Sequence, residues 1–165
     1  STDTLTLDFK RDSKLDMLWE DAFWQDQRTL TPGYDEQGNE ILASKKINLS
    51  LGLSDTAQIR VAVAKKARGL RYNSALDRAR AVDYEWSLNQ DSLVLSDYFT
   101  TPSRWKNKGQ SVKIGLELPK GTLVKMSERS AEGVEHFWQL TGDRGQNTHL
   151  WVVEDQDHLR CLDCE

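Results

Sequence analysis

Residues 111–126 read SVKIGLELPKGTLVKM, and apolar side chains occupy every second position of the first half. This period of two is typical of a β-strand with one buried face. The inward side chains are Val112, Ile114, Leu116 and Leu118. The Pro and Gly of LPKGT predict a tight turn. We expect a solvated outer face formed by Lys113, Glu117, Lys120 and Lys125.

The same alternation recurs on both sides of this stretch, over most of the chain. Five segments show it: DTLTLDF (3–9), KINLSLGL (46–53), QIRVAVA (58–64), VDYEWSL (82–88) and DSLVLSDYF (91–99). In the fourth segment the pattern places Val82, Tyr84, Trp86 and Leu88 on one face. Short segments rich in Asp, Asn and Ser lie between several of the strands. Many short strands joined by close turns predict an all-β domain.

One short helix is predicted within NSALDRARAV, residues 73–82. Asn73 or Ser74 is expected to cap its first turn, and Asp77 occupies the acidic position of a capping box. The apolar face consists of Ala75, Ala79 and Val82. We place this helix at residues 74–81, as a cover for a sheet edge or for one end of the strand stack.

An aromatic segment near the N-terminus, SKLDMLWEDAFWQDQ (13–27), departs from the strand pattern. Leu15, Leu18, Trp19, Ala22 and Phe23 have helical spacing, which predicts a helix at about residues 15–24, and Trp24 lies outside its apolar face. One interpretation is that the rings close one end of the β core. The other is a docking surface for a protein or for sugar rings. The candidate partner-binding residues are Leu18, Trp19, Phe23 and Trp24.

Composition and charge exclude several classes of protein. A chain of 165 residues corresponds to one ordinary domain, and its net charge is −4. The closest candidate for a basic stripe, VAVAKKARGLR (61–71), is a single short run offset by acids elsewhere, so no nucleic-acid partner is expected. The sequence contains no run of about 18 apolar residues, so no transmembrane helix is predicted. The chain begins at Ser1 without a Met, and we expect an excised domain whose membrane anchor lies outside it.

The only two cysteines, Cys161 and Cys164, form a C-x-x-C within HLRCLDC. If this segment is a strand, the two side chains point to opposite faces and cannot share a metal ion. The three histidines have no H-x₃₋₅-H spacing to complete a zinc site. A redox C-x-x-C would begin a helix. A structural role is therefore favoured; pairing with each other or with another chain, and metal binding, are the alternatives.

Motifs of known catalytic and nucleotide-binding sites are absent from the sequence. The acids Glu154, Asp155 and Asp157 lack the Gly and the distal Glu of a calcium loop, and a solvated hairpin turn explains them. His136 has no Ser or Cys nearby in sequence. We expect no catalytic residue, no metal and no cofactor, and therefore no enzyme.

Four stretches together resemble the C-terminal domain of phage-shock protein C (PspC)-type bacterial membrane proteins. They are VAVAKKARGLRYNSALDRARAVDYEW (61–86), DSLVLSDYF (91–99), RWKNKGQSVKIGLELPKGTLVKM (104–126) and HLWVVEDQDHLRCLDC (149–164). LELPKGTLV (116–124) by itself is similar to the broader toast-rack, or putative-adhesin, β domain. The resemblance covers about residues 47–164 and leaves residues 1–46 unmatched.

The resemblance implies a β-solenoid-like stack of short strands, placed after a cytoplasmic head and several transmembrane helices. A two-sheet sandwich is the alternative, and parallel pairing of residues 82–88 with a later strand would favour the stack. We divide the chain into an N-terminal strand plus an uncertain segment at 1–46, and a toast-rack-like domain at 47–165. The two are expected to form one folded unit.

The implied function is that of a non-enzymatic sensor or scaffold in envelope-stress signalling. We expect the domain to lie on the periplasmic side of the inner membrane, with the cytoplasmic side as the alternative. The expected partners are envelope or membrane proteins, or further copies of the chain. The competing hypothesis, a glycan- or cell-wall-binding module, requires a row of exposed aromatic rings beside polar side chains such as Asp21, Gln25 or Asp26.

Overall fold

Strands dominate the computed structural model, which describes residues 4–10, 16–17, 31–105, 108–127, 148–155 and 158–164. Within these residues the chain has a single α-helix, α1 (Tyr72–Arg80), and one 3₁₀ turn (Ser103–Trp105). The strands are β1 (Thr4–Lys10), β2 (Asp16–Met17), β3 (Thr31–Tyr34), β4 (Glu40–Ser44), β5 (Ile47–Leu53), β6 (Arg60–Lys66), β7 (Trp86–Asn89), β8 (Ser92–Ser96), β9 (Phe99–Pro102), β10 (Ser111–Leu118), β11 (Leu123–Ser127), β12 (Thr148–Asp155) and β13 (His158–Cys161).

These strands form three open sheets. A six-stranded sheet has the order β13-β12-β11-β1-β8-β7, a three-stranded sheet the order β5-β10-β6, and a four-stranded sheet the order β2-β3-β4-β9. The prediction of an all-β fold with one short helix is therefore confirmed for the described residues.

The sheets contain both parallel and antiparallel strand pairs. The parallel pairs are of the kind expected in a stack of short strands that return in the same direction. β1 pairs in parallel with both β8 and β11, and β5 pairs in parallel with β10. The pairing that would separate the stack from the sandwich, a parallel pairing of residues 82–88 with a later strand, is not seen among the described strands, because β7 pairs antiparallel with β8. These two strands are adjacent in sequence, and the short turn between them permits only a hairpin.

The hydrophobic core comes from the alternating positions. Leu5 and Leu7 of β1, Leu93 and Leu95 of β8, and the four inward residues of β10 are all buried. They belong to one cluster that also includes residues of β5, β11, β12 and β13, so the six-stranded and three-stranded sheets share a core. The four charged residues predicted to face solvent are all exposed, as expected for the outer face of such strands.

The face predicted for residues 82–88 is wrong in its second half. Val82 and Tyr84 are buried, whereas Trp86 and Leu88 are exposed. The reason is that residues 82–85 are not part of a regular strand: Asp83 makes an isolated bridge to Thr100, and β7 begins only at Trp86. The period of two therefore does not continue across the whole segment.

Helix α1 begins two residues earlier than predicted. Its N-cap is Arg71, which has extended backbone angles and no side-chain cap, so the predicted caps Asn73 and Ser74 lie inside the helix. Arg71 contributes its carbonyl to the first turn, where it accepts from the Ala75 N–H. The preceding chain packs tightly there, since a Cβ on Gly69 would lie 2.6 Å from the Ala75 nitrogen. The predicted burial is seen at Ala79 and Val82.

At the N-terminal aromatic segment, the structure describes only Asp16 and Met17, which form β2 and pair with β3. The helix predicted from residue 15 onward is therefore wrong at these two positions. An added strand on the edge of the β3–β4 hairpin satisfies backbone groups that would otherwise remain unpaired. The rest of the segment lies outside the described residues.

Candidate functional site

Four side chains with metal-binding atoms meet at the end of the β12–β13 hairpin. They are His149 on β12, Cys161 at the end of β13, and Asp163 and Cys164 just after it. One ligand atom from each lies within 4.8 Å of all the others. We refer to these four residues as the C-terminal cluster.

The register of the hairpin explains how the cluster assembles. Cys161 pairs with Trp151 across the antiparallel ladder, so their side chains share a face. His149 precedes Trp151 by two residues and therefore lies on the same face. The ladder continues for one more bond, in which the Leu162 N–H donates to the Leu150 carbonyl over 2.7 Å.

The turn that follows β13 brings the two cysteines together. The Leu150 N–H donates to Asp163 Oδ1 over 3.0 Å, so a carboxylate stands where a backbone acceptor would continue the ladder. The chain bends at Leu162 and Asp163 and returns Cys164 to Cys161, with 5.7 Å between their Cα atoms. The two cysteines form a disulfide.

This arrangement corrects one step of the sequence reasoning. The expectation that Cys161 and Cys164 lie on opposite faces of one strand is wrong, because the strand ends at Cys161. Alternation applies only while the backbone stays extended, and the bend cancels it. Of the alternatives that the sequence left open, the structure has the cysteines paired with each other.

Asp163 is the centre of the cluster. Its Oδ1 atom lies 3.3 Å from His149 Nδ1 and 3.5 Å from Cys161 Sγ. The hydrogen bond from the Leu150 N–H, followed by the contact with the His149 side chain, holds the pKa of Asp163 below its ordinary value. The residue is therefore a carboxylate at neutral pH.

The side chain of His149 is much less accessible to solvent than that of Asp163. Its side chain is 13% exposed, against 54% for Asp163. Its ring packs edge-on against Trp151, with 5.7 Å between centroids. Nε2 is buried without a hydrogen-bond partner among the described residues, so Nδ1 is the nitrogen that faces the cluster.

An acidic cleft of about 330 Å³ lies between the β3–β4 turn and the segments around β9. Its acids are Asp35, Glu36, Asp83 and Glu85, and no His, Cys, Lys or Arg is part of its described lining. Asp35 stabilises the β3–β4 turn, because its Oδ1 accepts hydrogen bonds from the N–H groups of Gln37 and Asn39. The backbone of Asn39 accordingly lowers the pKa of Asp35.

Strand β7 forms an exposed edge of the six-stranded sheet. Among the described strands it pairs only with β8, and all four of its residues are exposed. Trp86 is 42% and Leu88 37% exposed, and their spacing places them on one face of the strand. The sequence of the strand, WSLN, contains neither a charge nor a proline. We refer to Trp86–Asn89 as the β7 edge.

The predicted partner-binding residues Leu18, Trp19, Phe23 and Trp24 lie outside the described residues, as do His136 and Asp157. Glu154 forms an ion pair with Arg160 across the β12–β13 hairpin. Exposed large aromatic side chains of the described part lie on three different elements: Tyr34 on β3, Tyr72 on α1 and Trp86 on β7.

Sequence reasoning missed both the C-terminal cluster and the β7 edge. The alternation of His149, Trp151 and Val153 was available as a signal that the histidine shares a face with core residues. The register that sets Trp151 opposite Cys161 was not, because it depends on the irregular step between Val153 and Asp155.

Comparisons with known proteins identify a family for this chain. No curated protein and no solved structure matches it. Among the described residues, none of the helical structure combines the length and the apolar character needed to cross a bilayer. A family model described as the ToastRack found in some PspC proteins matches residues 33–165, which is most of the chain. The chain therefore belongs to the family of toast-rack domains found at the C-terminus of PspC proteins.

Proposed function

We propose that this domain is a non-enzymatic sensor or scaffold on the extracytoplasmic side of a membrane-anchored envelope-stress protein, and that it acts by binding other proteins. Two properties of the family support the proposal: the PspC toast-rack domain is non-catalytic, and PspC proteins are membrane-associated. The observation that carries the proposal is the β7 edge, which presents apolar side chains beside the outer edge of a sheet.

The β7 edge has the properties of a surface that accepts an added strand. The outer side of an edge strand carries backbone N–H and C=O groups that can pair with an extended segment of a partner. Proteins usually protect such edges with charges, prolines or covering elements, and the sequence WSLN has no charge and no proline. Trp86 and Leu88 add apolar area beside this edge, and Trp is among the residues most often found at interface hot spots.

The expected occupant is an extended strand of another envelope protein. Only a short partner segment is needed, because the edge is four residues long. Backbone hydrogen bonds would supply the register, and Trp86 and Leu88 would supply the preference for apolar side chains at alternate positions of that segment. This mode suits a regulated and reversible contact, since a short added strand buries little area.

The Cys161–Cys164 disulfide supports the extracytoplasmic placement, because disulfides persist in the bacterial periplasm and are rare in the reducing cytosol. Labelling of an introduced surface cysteine in intact spheroplasts by a membrane-impermeant thiol reagent tests the placement separately from partner binding. Labelling only after lysis would put the domain in the cytoplasm.

The segment that contains Leu18, Trp19, Phe23 and Trp24 remains a second proposed contact surface. It rests on the concentration of large apolar residues among acids in the sequence. The crosslinking test of the β7 edge, described next, also examines this second surface, because the same photo-crosslinker is placed at position 24 for comparison.

The proposal is tested by site-specific photo-crosslinking in cells that produce the full-length protein. The photo-crosslinker p-benzoyl-phenylalanine replaces Trp86 or Leu88, and Lys113, an exposed residue of β10, serves as the matched control position. We expect crosslinks at positions 86 and 88 to one defined envelope protein, mapped by mass spectrometry to an extended segment, and none at position 113.

Partner binding should also have a consequence for signalling. A Trp86→Ser and Leu88→Ser variant is expected to change the induction of a stress reporter while the domain stays folded, because neither side chain belongs to the buried core. Crosslinks only to a second copy would replace the proposed partner with self-association. Equal crosslinking at all positions, or unchanged signalling in the double variant, would contradict the role of the β7 edge.

A further inference from the structure

The C-terminal cluster is independent of the proposed binding surface, and its donor atoms suggest a second property. Two sulfurs, one imidazole nitrogen and one carboxylate oxygen lie within 4.8 Å of one another. Both cysteines pack against the hydrophobic core, and His149 is largely buried. Three of the four groups are therefore held by packing, and the exposed fourth, Asp163, is held by the hydrogen bond that its Oδ1 accepts from the Leu150 N–H.

We propose that the C-terminal cluster binds one Zn²⁺ ion when its disulfide is reduced, and releases the ion when the disulfide forms again. The ligands are the Cys161 and Cys164 thiolates, His149 Nδ1 and the Asp163 carboxylate.

The redox step balances with a dithiol as the reductant. The dithiol transfers two electrons and two protons to the Cys161–Cys164 bond, which opens to two thiols, and the reductant becomes a disulfide. Zn²⁺ then displaces the two thiol protons and binds the thiolates. In the reverse direction a disulfide oxidant takes two electrons from the two cysteine thiolates and, with two protons from water, becomes a dithiol. The Cys161–Cys164 bond forms again, and the metal loses both sulfur ligands.

The donor set favours zinc over the other common divalent cations. Thiolate and imidazole ligands suit Zn²⁺, whereas Mg²⁺ and Ca²⁺ require oxygen ligands. A tetrahedral zinc site with bonds of about 2.0 to 2.3 Å has ligand–ligand distances of about 3.3 to 3.8 Å. The distances from Asp163 Oδ1 to His149 Nδ1 and to Cys161 Sγ, 3.3 and 3.5 Å, already fall in this range.

Only a small movement is needed to complete the tetrahedron. The two sulfurs must separate from their bonded distance of about 2 Å to about 3.8 Å. The residues between them, Leu162 and Asp163, form an exposed bend, so the turn can open without displacing the core. His149 and Asp163 are already held in place by Trp151 and by the Leu150 N–H.

Zn²⁺ also offsets the repulsion between the negative charges of the reduced cluster. Two thiolates and the Asp163 carboxylate would place like charges within one small site, which opposes their ionisation. A divalent cation reverses this preference, because each ligand gains an opposite charge at bonding distance. The oxidised state needs no cation, since the disulfide carries no charge.

The test uses the whole domain, prepared once with the disulfide intact and once reduced under argon and freed of reductant. Each sample is equilibrated with Zn²⁺, desalted and analysed for metal, and Co²⁺ is then used as a spectroscopic substitute. We expect about one Zn²⁺ per reduced chain and none per oxidised chain. The Co²⁺ form should have a thiolate charge-transfer band and the intense visible bands of tetrahedral cobalt.

Variants assign the ligands. Cys161→Ser, His149→Gln and Asp163→Asn each remove one donor, and we expect each to weaken zinc binding by about 100-fold or more, beyond what loss of an outer-shell contact costs. Asp55→Asn, which removes an exposed carboxylate in the β5–β6 turn, is the matched control and should bind like the parent. Circular dichroism establishes that each variant is folded.

Three outcomes would overturn the proposal. The first is a reduced, folded domain that retains no stoichiometric zinc. The second is equal binding by the oxidised and reduced forms, which would place the metal elsewhere. The third is a folded His149→Gln variant with unchanged affinity and unchanged cobalt bands, since a site of the two cysteines alone does not require the histidine.

Discussion

Gly121 occupies a backbone conformation that few other residues adopt. It follows Lys120 in the turn between β10 and β11, where the Thr122 N–H donates to the Pro119 carbonyl and Gly121 has a φ of +86°. A positive φ at this position is the mark of a type II turn, which prefers glycine. The turn also anchors β12, because the Gly121 N–H donates to the Val153 carbonyl.

We predict that Gly121→Ala lowers the free energy of unfolding by about 1 kcal/mol or more, through backbone strain alone. Gly52→Ala is the matched control: neither position has an atom within 4 Å of an added Cβ, and Gly52 has no positive φ. Gly52→Ala should therefore be neutral or slightly stabilising. Urea denaturation of the two variants measures the difference, and equal stabilities would contradict this explanation.

The sequence predicts one feature of the C-terminal cluster and does not predict another. The sequence indicates that His149 and Trp151 share a face, because only alternation within one strand is required. It does not indicate that β13 ends at Cys161, because Leu162 and Asp163 are also compatible with a strand. The end of the strand depends on the Asp163 carboxylate accepting the Leu150 N–H, a contact between residues 13 apart.

The start of α1 was missed for a similar reason. Asn73 and Ser74 are good cap residues, yet the helix begins at Tyr72. The preceding chain supplies other contacts, since Gly69 packs against the first turn and the Arg68 carbonyl accepts from Arg78 Nη1. Cap propensity is worth about 1 kcal/mol, and tertiary contacts of this kind outweigh it.

The β12–β13 element is expected to remain folded when its disulfide is opened. The bond joins residues three apart, and closing so short a loop stabilises a protein by about 2 kcal/mol in the chain-entropy model. Trp151, Val153 and Leu159 of the same hairpin stay buried in the core. We therefore predict that reduction without metal lowers the free energy of unfolding by about 2 kcal/mol and leaves the domain folded.

Chemical denaturation with and without reductant measures this change. The double variant Cys161→Ser and Cys164→Ser is the control, because it has no disulfide to open and should not respond to reductant. A domain that unfolds on reduction, or a double variant that loses stability in reductant, would contradict the prediction.

At the scale of the whole molecule, the alternation of apolar residues predicted most of the core but not the topology. All four inward positions of β10 are buried, as are Leu5 and Leu7 of β1. Alternation identifies a buried face and leaves open which strand lies beside which. The central position of β1, between β8 and β11, depends on pairings with residues more than 80 positions away.

This position of β1 leads to a prediction about the N-terminus, which precedes the family match at residue 33. β1 joins β8 and β7 on one side to β11, β12 and β13 on the other, so it is the only described strand that connects the two halves of the six-stranded sheet. Burial of Leu5 and Leu7 contributes about 2 kcal/mol for each side chain. Removing residues 1–10 also exposes the facing edges of β8 and β11.

We predict that a chain lacking residues 1–10 loses cooperative thermal unfolding, because the sheet divides where β1 was. A chain lacking only residues 1–3, which precede β1, is the control and should melt like the parent. Calorimetry and near-ultraviolet circular dichroism distinguish a divided sheet from a merely weakened one. If the chain that lacks residues 1–10 melts cooperatively within a few degrees of the parent, β1 is an accessory strand that the sheet does not require.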